Sequence, residues 1–201
     1  MKKLRTVLWV GIALLTPAVP LVLYFAGNWY SLFHSYSLGM VFGIFSYGYF
    51  LNTLILSARI PFLDRMFGHD RVMVFHGWYA CAAFVFAGAH VAFKSVFSFE
   101  MDLQTALGSG AIMIFGAVVC ITPLLMVSGL PHRIPVIARI KDRLSRTRLF
   151  DYNMLKLFHN SVAAAVILVV LHVYLASSTQ ETSGRMLVMA AWGGIAVGVY
   201  L

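Results

Sequence analysis

Residues 73–93 read MVFHGWYACAAFVFAGAHVAF, a stretch without a single charged residue that nevertheless holds two histidines, His76 and His90. A helix needs about 20 mostly apolar residues to cross a bilayer, and this stretch is long enough. Histidine is costly in hydrocarbon, so an ionisable residue at that depth is a functional candidate by default.

Composition sets the environment. The 201 residues are 61% hydrophobic and 11% charged, with a mean hydropathy of +0.85. A soluble domain averages about 45–50% apolar and roughly 25% charged residues. The expected fold class is therefore all-α and integral to the membrane. The formal net charge of +8 does not point to nucleic acid, because the basic residues sit in short loops between apolar runs. Cys81 and Cys120 both lie inside apolar segments, which suits reduced packing residues and provides no disulfide framework or CxxC motif. The N-terminal MKKLR precedes an apolar run over 7–26 that is long for a signal peptide and lacks an A-x-A-like cleavage site.

Six segments approach spanning length: 7–26, 35–57, 73–94, 106–130, 154–176 and 186–201. The last is short. Pro17 and Pro20 are expected to bend the first and Pro123 the fourth, breaks that neighbouring helices can absorb. Lys2, Lys3 and Arg5 precede the first segment, and Arg59, Arg65 and Arg71 lie between the second and third. Seven more, from Arg133 to Lys156, lie between the fourth and fifth. Only Lys94 and Arg185 fall on the opposite side. The positive-inside rule then puts both termini in the cytoplasm of a bacterial inner or plasma membrane. The connection HRIPVIARIKDRLSRTRLFDYN has Ile134, Ile137, Ile140 and Leu144 at helical spacing. It is expected to form a basic amphipathic helix against lipid headgroups or a cytoplasmic partner.

The fifth segment, LKLFHNSVAAAVILVVLHVYLA, holds a second pair, His159 and His172. Segments three and five run in the same direction, so His76 and His159 share the inner depth and His90 and His172 the outer. On an ideal helix the fourteen residues between His76 and His90 leave them within ~40° of one face, whereas His159 and His172 end ~140° apart. A bend, a local unwinding or different rotamers must therefore bring the second pair onto one neighbour. Two imidazoles at each of two depths suit the two axial positions of a haem iron. Neutral imidazole also lowers the penalty of burial in lipid. Small residues flank the ligands, among them Gly77, Ala80, Ala83, Ala87, Gly88 and Ala163 to Ala165. Arg71, Arg148 and Lys156 are the candidate propionate partners at the inner level, and Lys94 and Arg185 at the outer. Trp78, Phe84, Phe86 and Phe158 are candidates for the space between the levels, with core packing as their ordinary role. His34, His69 and His132 have the ordinary reading of loop or interfacial side chains. A zinc or proton pathway fits less well, since no acidic residue lies in a span interior and zinc sites gather carboxylates or thiolates.

Three elements together carry a family likeness: RIPFLDRMFG leading into the third segment, the pair His76 and His90, and the pair His159 and His172 after a basic loop. In them the chain resembles the ferric-reductase-like transmembrane domain shared by ferric reductases and NADPH oxidases. The likeness covers nearly the whole chain, and segments three and five are its specific part. It implies a six-transmembrane-helix bundle holding two stacked b-type haems, the inner on His76 and His159 and the outer on His90 and His172. It implies an oxidoreductase that takes electrons from NAD(P)H through FAD on a cytoplasmic flavin reductase domain or subunit. The external acceptor would be a ferric chelate or dioxygen. The flavin module would be clipped from this chain or be a separate polypeptide. A related group, the haem-bearing membrane subunits that feed periplasmic methionine sulfoxide reductase, shares the size and lacks a fused flavin domain. Its third span usually lacks a histidine where His76 stands. A quinone-linked di-haem cytochrome b and a non-redox metal transporter or scaffold are the other readings.

Overall fold

The computed structural model describes residues 2–26, 33–96, 101–126, 136, 138–139, 143 and 152–200. Of the expected amphipathic helix in the basic connection only residues 136, 138–139 and 143 are described, all of them helical; Arg148 and His132 lie outside the described residues. Among the described residues every regular element is a helix. They are α1 (Lys2–Leu15), α2 (Ala18–Phe25), α3 (Ser35–Ser57), α4 (Pro61–Phe67), α5 (His69–Ser95), α6 (Leu103–Met126), α7 (Tyr152–Asn160), α8 (Val162–Leu175), α9 (Ser177–Gln180) and α10 (Ser183–Tyr200).

Among the described residues five spans are long and apolar enough to cross a membrane: Thr6–Phe25, Ser35–Ser57, His69–Ser95, Leu103–Thr122 and Asn153–Leu175. They correspond to the first five expected segments. The sixth, α10, has 18 residues, about 27 Å at ~1.5 Å per residue; it carries Arg185 in its first turn and does not join the five.

The first span breaks where its prolines require it. Pro17 and Pro20 have no N–H, so carbonyls one turn earlier lose their helical donors. Side chains supply donors at Ala13 O and tie the rest of the break to α3. The Ala13 carbonyl accepts from the Thr16 hydroxyl at 2.7 Å and from the Tyr79 hydroxyl of α5. The Tyr49 hydroxyl of α3 donates to Leu14 O at 3.2 Å, and Asn52 Nδ2 donates to Thr16 Oγ1 at 2.7 Å. A polar-looking stretch of α3 is thus the socket for a broken helix.

Two antiparallel hairpins organise the core. The first packs α3 on α5 through the α3–α4–α5 connection, whose turns need positive φ at Arg59 (51°) and Gly68 (85°). Ser46 Oγ donates to Ala83 O at 3.0 Å across its middle. The second packs α6 on the α7–α8 pair. Phe50, Phe84 and Phe115 join the hairpins at mid-height: Phe50 and Phe115 have centroids 3.9 Å apart and Phe84 and Phe115 6.4 Å. α10 packs against α3, α8 and α2, and the Tyr47 hydroxyl donates to Met189 O at 2.7 Å.

Arg185 fixes α10 to the end of the first span. It is 5% exposed. Its Nε donates to Leu23 O at 3.0 Å and its two terminal nitrogens to Tyr24 O at 3.0 Å, Ser178 O at 3.1 Å and the Glu181 carboxylate. Leu23 and Tyr24 lie in the last turn of α2, where carbonyls have no helical partner.

Candidate functional site

The four histidines of the third and fifth spans meet in two pairs. His76 of α5 and His159 of α7 have ring centroids 6.2 Å apart, and His90 of α5 and His172 of α8 have theirs 6.4 Å apart. Along α5 the two levels are separated by about 21 Å of helix. The second histidine helix reaches both levels because it is interrupted. α7 ends at Asn160 and α8 begins at Val162; between them Ser161 donates from both N and Oγ to Phe158 O, at 3.1 and 2.6 Å. That tight turn lies between His159 and His172, where the azimuthal mismatch demands a departure from an ideal helix.

Each ring leans on the membrane-length helix before its own span. His76 Nδ1 lies 2.9 Å from Thr53 O and His90 Nδ1 2.8 Å from Gly39 O, both on α3. His172 Nδ1 lies 2.7 Å from Gln104 O on α6. A carbonyl oxygen only accepts, so these three rings carry their proton on Nδ1 and keep Nε2 as a lone-pair donor. His159 differs: its Nδ1 lies 3.5 Å from the Thr122 hydroxyl of α6. Histidines that ligate metals almost always donate their other N–H to such an acceptor, which fixes tautomer and ring orientation.

The spacing of each pair has a chemical meaning. An imidazole–metal bond is about 2.0–2.1 Å for a first-row ion, and with roughly 1.1 Å from ring nitrogen to centroid, two imidazoles across one metal have centroids about 6.2–6.4 Å apart. Both pairs match. No group of three or more His, Cys, Asp or Glu side chains able to hold a metal occurs among the described residues. A metal held by either pair would take its remaining ligands from outside these side chains, and two imidazoles are a donor set that an iron porphyrin can accept.

The cationic candidates divide. Arg71 and Lys156 are exposed near the His76 and His159 level. Lys94 lies one turn beyond His90, with Nζ 3.6 Å above the Tyr36 ring. Arg185 has four of its N–H groups committed to protein acceptors. The aromatic candidates divide as well. Phe84 lies against Phe115, whereas Phe86 packs on Phe42, Phe45 and Tyr49, and Trp78 is 73% exposed. Cys81 and Cys120 are free thiols.

Sequence reasoning missed the acceptors. Thr53, Gly39, Gln104 and Thr122 are visible as residues, but nothing in their order reveals which carbonyl or hydroxyl faces which ring. The glycines of α3 and α6 were the one available signal.

Fold and site define a class: an all-helical protein with helices long and apolar enough to cross a membrane and two cross-helix histidine pairs at two levels along them. No family model, curated protein or solved structure matches the chain.

Proposed function

We propose that the protein carries electrons across the membrane as a six-span cytochrome, with α10 as its sixth span and two b-type haems held by His76 with His159 and by His90 with His172. Bound iron porphyrin supplies one-electron redox chemistry at each level. The observation that carries the proposal is the pair spacing of 6.2 and 6.4 Å, with three of the four Nδ1–H groups held by backbone carbonyls. Such acceptors leave Nε2 free to ligate and raise its basicity.

The rest of the chain serves the same end. Phe50, Phe84 and Phe115 fill the space between the levels with apolar rings and exclude water from it. Arg71 and Lys156 at one end, and Lys94 at the other, are cations placed to meet carboxylates at a porphyrin edge. The positive-inside rule makes the His76 and His159 level cytoplasmic. There electrons would enter from FAD reduced by NAD(P)H on a reductase domain or subunit, and they would leave to an external acceptor such as a ferric chelate or dioxygen.

The test is spectroscopic. Purified, haem-replete protein is expected to show a sharp b-type band in its reduced-minus-oxidised spectrum and two haems per chain. His90→Leu or His172→Leu is expected to remove about half of that haem and spare the inner level. A wild-type chain that binds no haem under replete conditions refutes the proposal.

A further inference from the structure

The outer histidines reach their carbonyls in one way, used twice. In an α-helix the carbonyl of residue i points along the axis towards the N–H of residue i+4. A second donor that approaches the same oxygen from the side must pass beside residue i+4. His90 donates to Gly39 O, and residue 43 is glycine; His172 donates to Gln104 O, and residue 108 is glycine. A Cβ at Gly43 would lie 2.8 Å from His90 Nδ1, and a Cβ at Gly108 would lie 2.6 Å from His172 Nδ1. Neither ring could keep its place. At the inner level the corresponding residue after Thr53 is Ser57, whose hydroxyl is turned onto Leu54 O at 2.7 Å.

We infer that Gly43 and Gly108 are positioning residues for the outer histidine pair. Each opens a notch in one helix, through which an imidazole of the following helix reaches a carbonyl and is fixed with Nε2 as its free nitrogen. The two notches, on α3 and on α6, face the same level, so the outer pair is oriented by a matched device on both sides. The consequence for haem rests on the proposed function: the outer iron would have both axial imidazoles strongly polarised at Nδ1. The inner iron would have only His76 so held, with His159 near a hydroxyl.

A double-mutant cycle tests the notch without any cofactor. Gly43→Ala is expected to lower the thermal midpoint of the detergent-solubilised chain when residue 90 is histidine. In the His90→Ala background it is expected to leave the midpoint unchanged or raise it, because alanine is the better helix former once the ring is gone. Gly108→Ala with His172→Ala is expected to behave alike. If Gly43→Ala alone fails to fold and the double variant folds, the coupling is shown in its strongest form. Equal shifts in both backgrounds overturn the inference.

A second measurement reads the haem. In redox titrations of protein carrying two haems, Gly43→Ala or Gly108→Ala is expected to move one midpoint or remove one haem. Gly11→Ala, on α1 with no atom within 4 Å of the added Cβ, is expected to move neither. Wild-type midpoints and low-spin EPR g-values in both notch variants overturn the inference and leave the haem assignment standing. A wild-type chain without haem, with the stability coupling intact, sinks the haem assignment and leaves the notch.

Discussion

Replacing Arg185 by Met removes four hydrogen bonds at once from the junction of α2, α9 and α10. Three of them go to the carbonyls of Leu23, Tyr24 and Ser178, and the guanidinium is 5% exposed. Polar contacts between membrane helices are worth about 0.6–1.7 kcal/mol each, so three amount to about 2–5 kcal/mol. The fourth, to Glu181, adds less than about 1 kcal/mol, because its carboxylate is half exposed. The expected loss for Arg185→Met is therefore about 3 kcal/mol. Arg185→Lys keeps the charge but cannot span acceptors on two helices with one ammonium, and recovers about a third of it. Unfolding of the detergent-solubilised protein, followed by circular dichroism at fixed detergent concentration, measures both variants. A loss below about 1 kcal/mol for the Met variant would show that solvent or lipid serves those carbonyls equally well, and the clamp reasoning would fall. Haem content supplies an independent reading. A clamp predicts two haems per chain in Arg185→Lys with both midpoints unchanged, whereas a propionate partner predicts a shift at the outer level.

Other perturbations read other parts of the molecule. Tyr79→Phe removes the buried hydroxyl on Ala13 O and is expected to cost about 1 kcal/mol; no loss in the same unfolding assay would mean that Thr16 alone satisfies that carbonyl. Asp102 accepts from Thr105 N at 2.7 Å in the first turn of α6, and these bonds from Thr105 hold its carboxyl below the usual carboxylate range. Its contribution to stability is thus present above the unfolded pKa of about 3.9 and lost as pH falls through the lower folded value. Asp102→Asn is expected to flatten the fall in thermal midpoint below about pH 4, and an unaltered acid limb would contradict the capping role. Spin labels on Cys81 and Cys120 are expected to relax faster with dissolved oxygen than with a water-soluble nickel chelate. The reverse order at either site would place it outside the membrane. Trp78→Ala is expected to leave haem content and midpoints unchanged, since its side chain is exposed and packs on neither histidine pair.

Periodicity and cost explain what could be seen in the chain beforehand. Five of the six expected segments coincide with long apolar helices, because the length of an apolar run is a property of sequence alone. The matched levels of the four histidines follow from helix rise, and so does the azimuthal gap between His159 and His172; that a break at Ser161 lies between them, where a bend or a rotamer difference was equally open, shows only in the structure. The partners of those rings were invisible. Which carbonyl meets His90 depends on the register between α3 and α5, set by Ser46, Tyr49, Asn52 and the aromatic layer together. Arg185 shows the same limit: its charge suggested an anionic cofactor edge, and its three-dimensional surroundings are the loose carbonyls of a neighbouring helix end. Trp78, at the centre of the most informative stretch, faces outward because helix azimuth is decided by packing and not by depth.

The proline break in the first span has a consequence for assembly. The Ala13 carbonyl left open by Pro17 has only Thr16 of its own span as a donor until Tyr79 of α5 comes alongside, and Leu14 O and the Thr16 hydroxyl at the break gain Tyr49 and Asn52 only from α3. The N-terminal helix therefore cannot reach its final form when it enters the bilayer; it waits for two later segments. Those segments carry His76 and His90 and the carbonyls that orient them. Closure of the first span and alignment of the histidine helix are in this way one event, and a lesion in either is expected to be felt by the other.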